Sequence, residues 1–317
     1  MNRIKAAVVT EFGKPPIYTD IDTPKPANTN EMLIDVIAVG LHHVTKGLAS
    51  GAHYASNTTP PFIAGMDGVG RDSHGKLRYF VQGPGQPGSM AQKTVVEANH
   101  SIKLPNHCDQ ILMAGAMNPA MASWFALRCR VPYFHKKKRI LILGATGSSG
   151  RMAVQISRYI GASQIIAVGR DTNRLAKLPA LGATDIITLD DERLGQVTAN
   201  VDVVLDFIWG ESSVKVIEAL LKNRSNRSQS LCWVHVGGMA GEVAPIPGSF
   251  LRSTKLQIIG SGHGSVSGFQ IMRELPKLIN AVSKGKFHID IKPVALSEVE
   301  SVWNSSSTEN SRIVFTL

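Results

Sequence analysis

Apolar residues fall along this chain in two different rhythms. From residue 139 onward, short apolar runs alternate with segments whose apolar positions recur at helical spacing. The runs are RILIL (139–143), QIIAVG (164–169), DIITL (185–189), VDVVLDF (201–207), LCWVHVGG (231–238) and LQIIGSG (256–262). Such alternation predicts βαβ units and six strands of a doubly wound parallel sheet. Helices are expected in RMAVQISRYIGA after the first strand, over Thr172–Leu181, and near Phe269–Val282. The first 115 residues read differently. Strands such as MLIDVIAVG (32–40) and MAQKTVVEA (90–98) are separated by Gly/Pro-rich loops, notably QGPGQPGS (82–89), which predicts a β-rich unit with few long helices. HIDIKPVAL (288–296) and RIVFTL (312–317) each lack a helical partner, so they are expected to return to the β-rich unit.

The stretch LGATGSSG (143–150) lies between a buried-strand pattern and a helix, the context in which a glycine fingerprint signals dinucleotide binding. Ala145, Gly147 and Gly150 take the fingerprint positions, with Thr146, Ser148 and Ser149 between them. Gly147 lets backbone approach a pyrophosphate, Gly150 lets helix and strand pack closely, and the N–H groups of the helix start offer an anion site. A glycine-rich turn without ligand is the competing reading. Tyr133 and Lys137 form a YxxxK, but they precede the glycine loop, so the match is treated as chance. The 317 residues exceed what one core usually serves, which predicts two domains. A β-rich domain spans 1–117 and 289–317, and a dinucleotide-binding domain spans 118–288.

Composition changes this picture little. No apolar run approaches the roughly 18 residues of a membrane span, and Ala6–Val9 is too short for a signal-peptide core. A cytoplasmic protein is expected. Cys108, Cys129 and Cys232 are widely spaced and suggest neither a disulfide framework nor a zinc finger. The net charge of +10 favours an anionic ligand or partner. Its most compact run, Lys136–Arg139, has no interleaved aromatics, so nucleic acid is not expected.

The sequence resembles the medium-chain dehydrogenase/reductase superfamily, and within it the quinone oxidoreductase, zeta-crystallin-like branch. The carriers are PFIAGMDGVG (61–70), GSMAQKTVV (88–96), NPAMASWFAL (118–127), GATGSSGRMAVQISRYIGA (144–162), LGATDII (181–187) and DVVLDFIWG (202–210), in the family's order. The resemblance implies an α/β protein, a Rossmann doubly wound sheet plus a β-rich GroES-like domain, assembled as a homodimer. The stretch after Gly70 is shorter than usual in the family.

Two adjacent histidines in GLHHVTKG (40–47) raise the question of a metal. In zinc-dependent relatives a cysteine would be expected in this segment, a Gly-His-Glu triplet at Gly65–Asp67, and another cysteine after Asn118. Here stand Leu41 or His42, GMD, and no cysteine, and the four-cysteine structural lobe is missing too. His42 and His43 alone cannot make a three-ligand site, so no metal is expected.

Without a Lewis acid, the resemblance implies hydride transfer from NADPH to a small-molecule quinone or α,β-unsaturated carbonyl, whose developing oxyanion needs a donor or a proton. His42 falls where relatives carry an asparagine near the nicotinamide ribose, and a hydrogen-bonding role there stands beside that of a packed histidine. Tyr54 falls where related enoyl reductases place a tyrosine that donates to the substrate carbonyl, and a cleft-wall tyrosine is the other reading. Met121 replaces a common threonine. Gly237, Gly238 and Ser261 end the fifth and sixth strands, where ligands of open α/β sheets bind. NADPH over NADH is expected from Gly169, Arg170 and Arg174. The second-strand end has no acidic residue at Gly169, and the arginines, supported by Lys177, suit a 2′-phosphate, while Asp171 reads as a helix N-cap. A non-catalytic NADPH-binding regulator and an enoyl-thioester reductase are the alternatives.

Overall fold

Antiparallel pairing builds most of the first unit. The computed structural model describes residues 3–56, 58–83, 85–132, 137–305 and 311–317, so Tyr133 and Lys136 lie outside the described residues. The chain forms two units, Met1–Asn118 with Ile279–Leu317, and Pro119–Leu278.

In the first unit β1 (Arg3–Val9), β2 (Ile17–Asp22), β3 (Glu31–Gly40), helix α1 (His43–Ala49), β4 (Phe62–Ile63), β5 (Asp67–Asp72), β6 (Leu77–Val81), β7 (Lys93–Glu97) and β8 (Ser101–Lys103) follow in order. A three-stranded sheet runs β2-β1-β4, and a second runs β3-β5-β6-β8. The ten residues of β3 are long enough for several partners: Ile34–Ala38 pairs with β5, while Glu31–Asp35 pairs with β7. Apolar faces of both sheets close on a core that includes Val9, Val39, Phe80 and Met90.

Helix α2 (Gln110–Phe125) leads into the second unit and continues as a π-helical turn, Ala126–Arg130. There β9 (Arg139–Leu143), α3 (Ser148–Tyr159), β10 (Gln164–Gly169), α4 (Thr172–Leu175), α5 (Leu178–Leu181), β11 (Asp185–Thr188), α6 (Leu194–Thr198), β12 (Val203–Asp206), α7 (Gly210–Asn223), β13 (Leu231–His235), α8 (Gly248–Ser253), β14 (Leu256–Gly260) and α9 (Gly268–Ser283) alternate. All six expected strands form one parallel sheet in the order β11-β10-β9-β12-β13-β14. The order reverses between β9 and β12, which creates a switch point at their carboxyl ends.

β15 (Ile291–Ala295), helix α10 (Val299–Val302) and β16 (Arg312–Thr316) complete the first unit. As expected from their lack of helical partners, both strands join its larger sheet: β16 pairs antiparallel with the end of β3 and parallel with β15.

Two expectations need correction. The helix expected over Thr172–Leu181 is two short helices, because Pro179 has no N–H for the ladder and its ring crowds the preceding turn. The sixteen-residue α2 was not expected before residue 118; it is apolar on every side and so shows no amphipathic stripe.

Candidate functional site

The turn from β9 into α3 is shaped by two glycines. Gly144 adopts φ +77°, which makes the turn. A Cβ on Gly150 would stand 2.2 Å from the Gly144 carbonyl oxygen and 2.6 Å from Ala145 Cα, so only glycine lets α3 pack this closely. Ala145 is fully buried. Gly147 is the N-cap and no side chain caps the helix, leaving first-turn N–H groups at Ser148, Ser149 and Gly150 directed to an anion site.

At the end of β10, Gly169 packs against the turn from β9 into α3. A Cβ there would stand 2.8 Å from Thr146 Cγ2, so the absent side chain makes room for that turn. Arg170 is exposed. Asp171 caps α4: its Oδ1 accepts the Arg174 N–H at 3.0 Å and its Oδ2 meets Arg174 Nε at 3.1 Å. The N-cap reading of Asp171 holds, and its carboxylate is occupied with Arg174.

The carboxyl ends of β12, β13 and β14 bring together residues that the sequence reading missed. Asp206 is fully buried; its Oδ1 accepts the N–H groups of Ile208 and Trp209, each at 2.9 Å, and its Oδ2 accepts Trp233 Nε1–H at 2.9 Å. The Trp209 and His235 rings lie 4.5 Å apart. Burial pushes the His235 imidazole below its ordinary value, with the Asp206 charge pulling the other way. The following loop is stitched to the same turn, Ala240 N–H donating to Ile208 O at 2.6 Å and Met239 N–H to Phe207 O at 3.3 Å. Gly237 and Gly238 therefore sit over the strand ends, and Ser261 N–H donates to His235 O at 2.8 Å beside them. The available signal was Asp206, a carboxylate closing an otherwise apolar strand.

In the first unit, His42 is walled in. Its Nδ1 accepts Arg312 Nη1–H at 3.0 Å, and Arg312 Nη1 also donates to Leu41 O at 3.1 Å. On the other side His42 Nε2 lies 3.0 Å from Asp67 Oδ1, and Tyr79 OH donates to Asp67 Oδ2 at 2.6 Å. His42 and Asp67 are 1% exposed, Tyr79 0% and Arg312 7%. Nδ1 acts as acceptor, so the neutral ring carries its proton on Nε2, facing Asp67. Desolvation lowers the His42 pKa, Asp67 raises it and Arg312 lowers it further; burial pushes Arg312 down to about 10. His42 is thus a packed histidine whose Nδ1 is engaged by Arg312, while its Nε2 approaches Asp67 without hydrogen-bond geometry. His43 opens α1 at the surface. Tyr54 follows α1 and is 69% exposed, its ring 4.3 Å from that of His53. Among the described residues no three His, Cys, Asp or Glu side chains converge on a metal position.

No family model matches the sequence. A probable NADPH-dependent quinone reductase of Emericella nidulans is 29% identical over 98% of this chain and 99% of that protein. An NADPH-dependent alkenal/one oxidoreductase of Arabidopsis thaliana chloroplasts is 26% identical, over 68% of this chain and 60% of its own. Among solved structures, a mycobacterial quinone oxidoreductase superposes with a TM-score of 0.83 at 18% identity, covering 99% of this chain and 100% of that one. The chain has the medium-chain dehydrogenase/reductase fold. Within the medium-chain dehydrogenase/reductase fold, the phosphate loop, Gly169–Arg174 and the Gly237/Ser261 edge all belong to the second unit, and His42 and Tyr54 to the first.

Proposed function

We propose that the protein is an NADPH-dependent oxidoreductase that reduces a quinone or an α,β-unsaturated carbonyl without a catalytic metal. The observation that carries this reading is the second-strand end. Asp171, the one carboxylate there that could select NAD by its ribose hydroxyls, is committed to capping α4, while Arg170 stands exposed beside it. The fit to a dinucleotide is further supported by Gly150, whose missing Cβ brings the first turn of α3 against Gly144. Bound there, NADPH supplies a hydride from its nicotinamide ring.

The chain's own residues orient and complete that transfer. The Ser148–Gly150 N–H groups hold the pyrophosphate, Arg170 with Arg174 meets the 2′-phosphate, and Gly237, Gly238 and Ser261 leave space at the carboxyl edge. Tyr54 donates its phenolic proton to the acceptor oxygen as charge develops on it. A zinc ion is not needed in this scheme, and His42 and Asp67 are already engaged by Arg312 and Tyr79. The names of relatives acting on quinones and alkenals support the acceptor class. We further infer a homodimer, through the open edge of the sheet at β14, in the cytoplasm, where the three free cysteines stay reduced.

NADPH oxidation measured against a panel of quinones, enones and enoyl thioesters tests the reading. Turnover of a quinone or enone is expected; turnover of enoyl thioesters alone would reassign the acceptor. Tight NADPH binding with no turnover of any acceptor would make the protein a regulator and overturn the proposal.

A further inference from the structure

Trp209 holds a backbone conformation that side chains avoid. Its φ of 54° and ψ of −166° fall in a region populated almost entirely by glycine, and Gly210 beside it is also left-handed, at φ 73°. Strain of this kind persists where the surroundings impose it, and it concentrates at ligand clamps and active sites. The surroundings are rigid here: the Trp209 N–H is fixed by Asp206, and the 239–241 loop is bonded to the same turn.

A second local cost falls at the same place. His235 Nε2 is buried and has no hydrogen-bond partner among the described residues, which is unfavourable for a polar atom. The indole lies against that imidazole, their planes inclined by 45°. Trp209 is also placed to meet a ligand: it is half-buried, whereas Trp124, Trp233 and Trp303 are 4%, 0% and 4% exposed. Both rings stand at the carboxyl ends of β12 and β13, the edge at which open α/β sheets take ligands, beside Gly237, Gly238 and Ser261.

We propose that Trp209 and His235 form a platform for a planar, electron-poor ring, the indole stacking on its face and His235 turning Nε2 to its carbonyl or carboxamide oxygen. This rests on the oxidoreductase reading, and the ring is either the nicotinamide or the quinone acceptor. An electron-rich indole favours offset stacking on such a ring. A glycine at 209 would fit the backbone better and would contribute nothing to a ligand.

Wild type and the variants Trp209→Gly, Trp209→Leu and Trp209→Phe are titrated separately with NADPH, NADP+ and a quinone, following tryptophan fluorescence and calorimetric Kd, and each is melted. Wild-type fluorescence should be quenched. In Trp209→Gly the relief of backbone strain is set against the loss of the indole's packing on the core, so binding is the readout, and it should be roughly threefold to tenfold weaker. Trp209→Leu, which keeps an apolar side chain on the core, should bind as weakly, and Trp209→Phe should bind near wild type. Weakening toward NADP+, whose oxidised ring is the electron-poor form, assigns the ring to the cofactor; weakening toward quinone alone assigns it to the acceptor. Wild-type Kd values for all three ligands in Trp209→Gly or Trp209→Leu, with turnover intact, would overturn the platform while leaving the oxidoreductase reading standing. A wild-type protein that binds neither dinucleotide nor quinone would overturn both.

Discussion

Replacing Asp67 by asparagine probes the buried polar cluster of the first unit at its only carboxylate. The variant keeps the side-chain shape and removes the charge that balances Arg312, which is 7% exposed and, even with its pKa brought down to about 10, remains a cation at neutral pH. Asparagine offers one acceptor where the carboxylate accepts from Tyr79 at 2.6 Å and faces His42 Nε2 at 3.0 Å, so one donor then meets an amide NH2. Asp67 reaches Arg312 through His42, so the loss is that of one buried donor left unsatisfied, about 1–3 kcal/mol. At roughly 2–4 °C per kcal/mol for a chain of this size, the melting midpoint at pH 7.5 should fall by about 2–12 °C. The same cluster sets an acid limit. The folded pKa of His42 lies below the unfolded value of about 6.5, so above that pH neither state is protonated and stability is full. As pH falls below 6.5, the unfolded chain takes up a proton that folded His42 refuses, chiefly because burial strips the charged ring of water and also because protonation would end its acceptance from Arg312. Stability then falls by up to about 1.4 kcal/mol per pH unit until the folded pKa is reached. His42→Gln, which can accept from Arg312 and donate to Asp67, should lose that portion of the acid dependence; differential scanning calorimetry from pH 7.5 to 5 reads both effects. A midpoint drop below about 2 °C for Asp67→Asn, or identical pH slopes in wild type and His42→Gln, would refute the reasoning.

Further outcomes follow from the proposed site. Tyr54→Phe should lower kcat on the order of a hundredfold toward its best acceptor, and unchanged turnover would reduce Tyr54 to a surface ring packed on His53. Arg170→Ala with Arg174→Ala should erase a preference for NADPH of about ten- to a hundredfold while sparing NADH use; because Arg174 is tied to Asp171, Arg170→Ala alone should account for most of it. Elemental analysis should find no stoichiometric zinc, and about one zinc per chain with activity lost to a chelator would contradict the metal-free scheme.

The parallel sheet was legible because its strands are nearly apolar throughout, as in RILIL and VVLD, and β15 and β16 were legible by their missing helices. Strand β2 escaped notice although Ile17, Thr19 and Ile21 alternate with Tyr18, Asp20 and Asp22, because the segment is short and carries few apolar residues. α2 was hidden by uniform apolarity and an internal Pro119. The glycine-shaped turn from β9 into α3 could be read because its determinants are local. His42, Asp67, Tyr79 and Arg312 could not be read together, since their neighbours are set by pairing over as many as 270 positions, and Asp67 and Arg312 look like ordinary surface charges in the sequence. Nor does a sequence disclose that Trp209 sits in a glycine's conformation.

The placement of β16 has a consequence for synthesis. The second unit is one continuous stretch, Pro119–Leu278, whereas the first needs Ile279–Leu317 as well. β16 lies inside the seven-stranded sheet, between β3 and β15, and it brings Arg312 and the fully buried Phe315. On the ribosome, the second unit can therefore fold as soon as it has emerged. The first must wait with the Ala38–Gly40 end of β3 lacking its β16 partner, an exposed edge of the kind prone to aggregation, and His42 and Asp67 already synthesised without their arginine. A ribosome stalled before residue 312 would thus carry a finished second unit beside an unfinished first one.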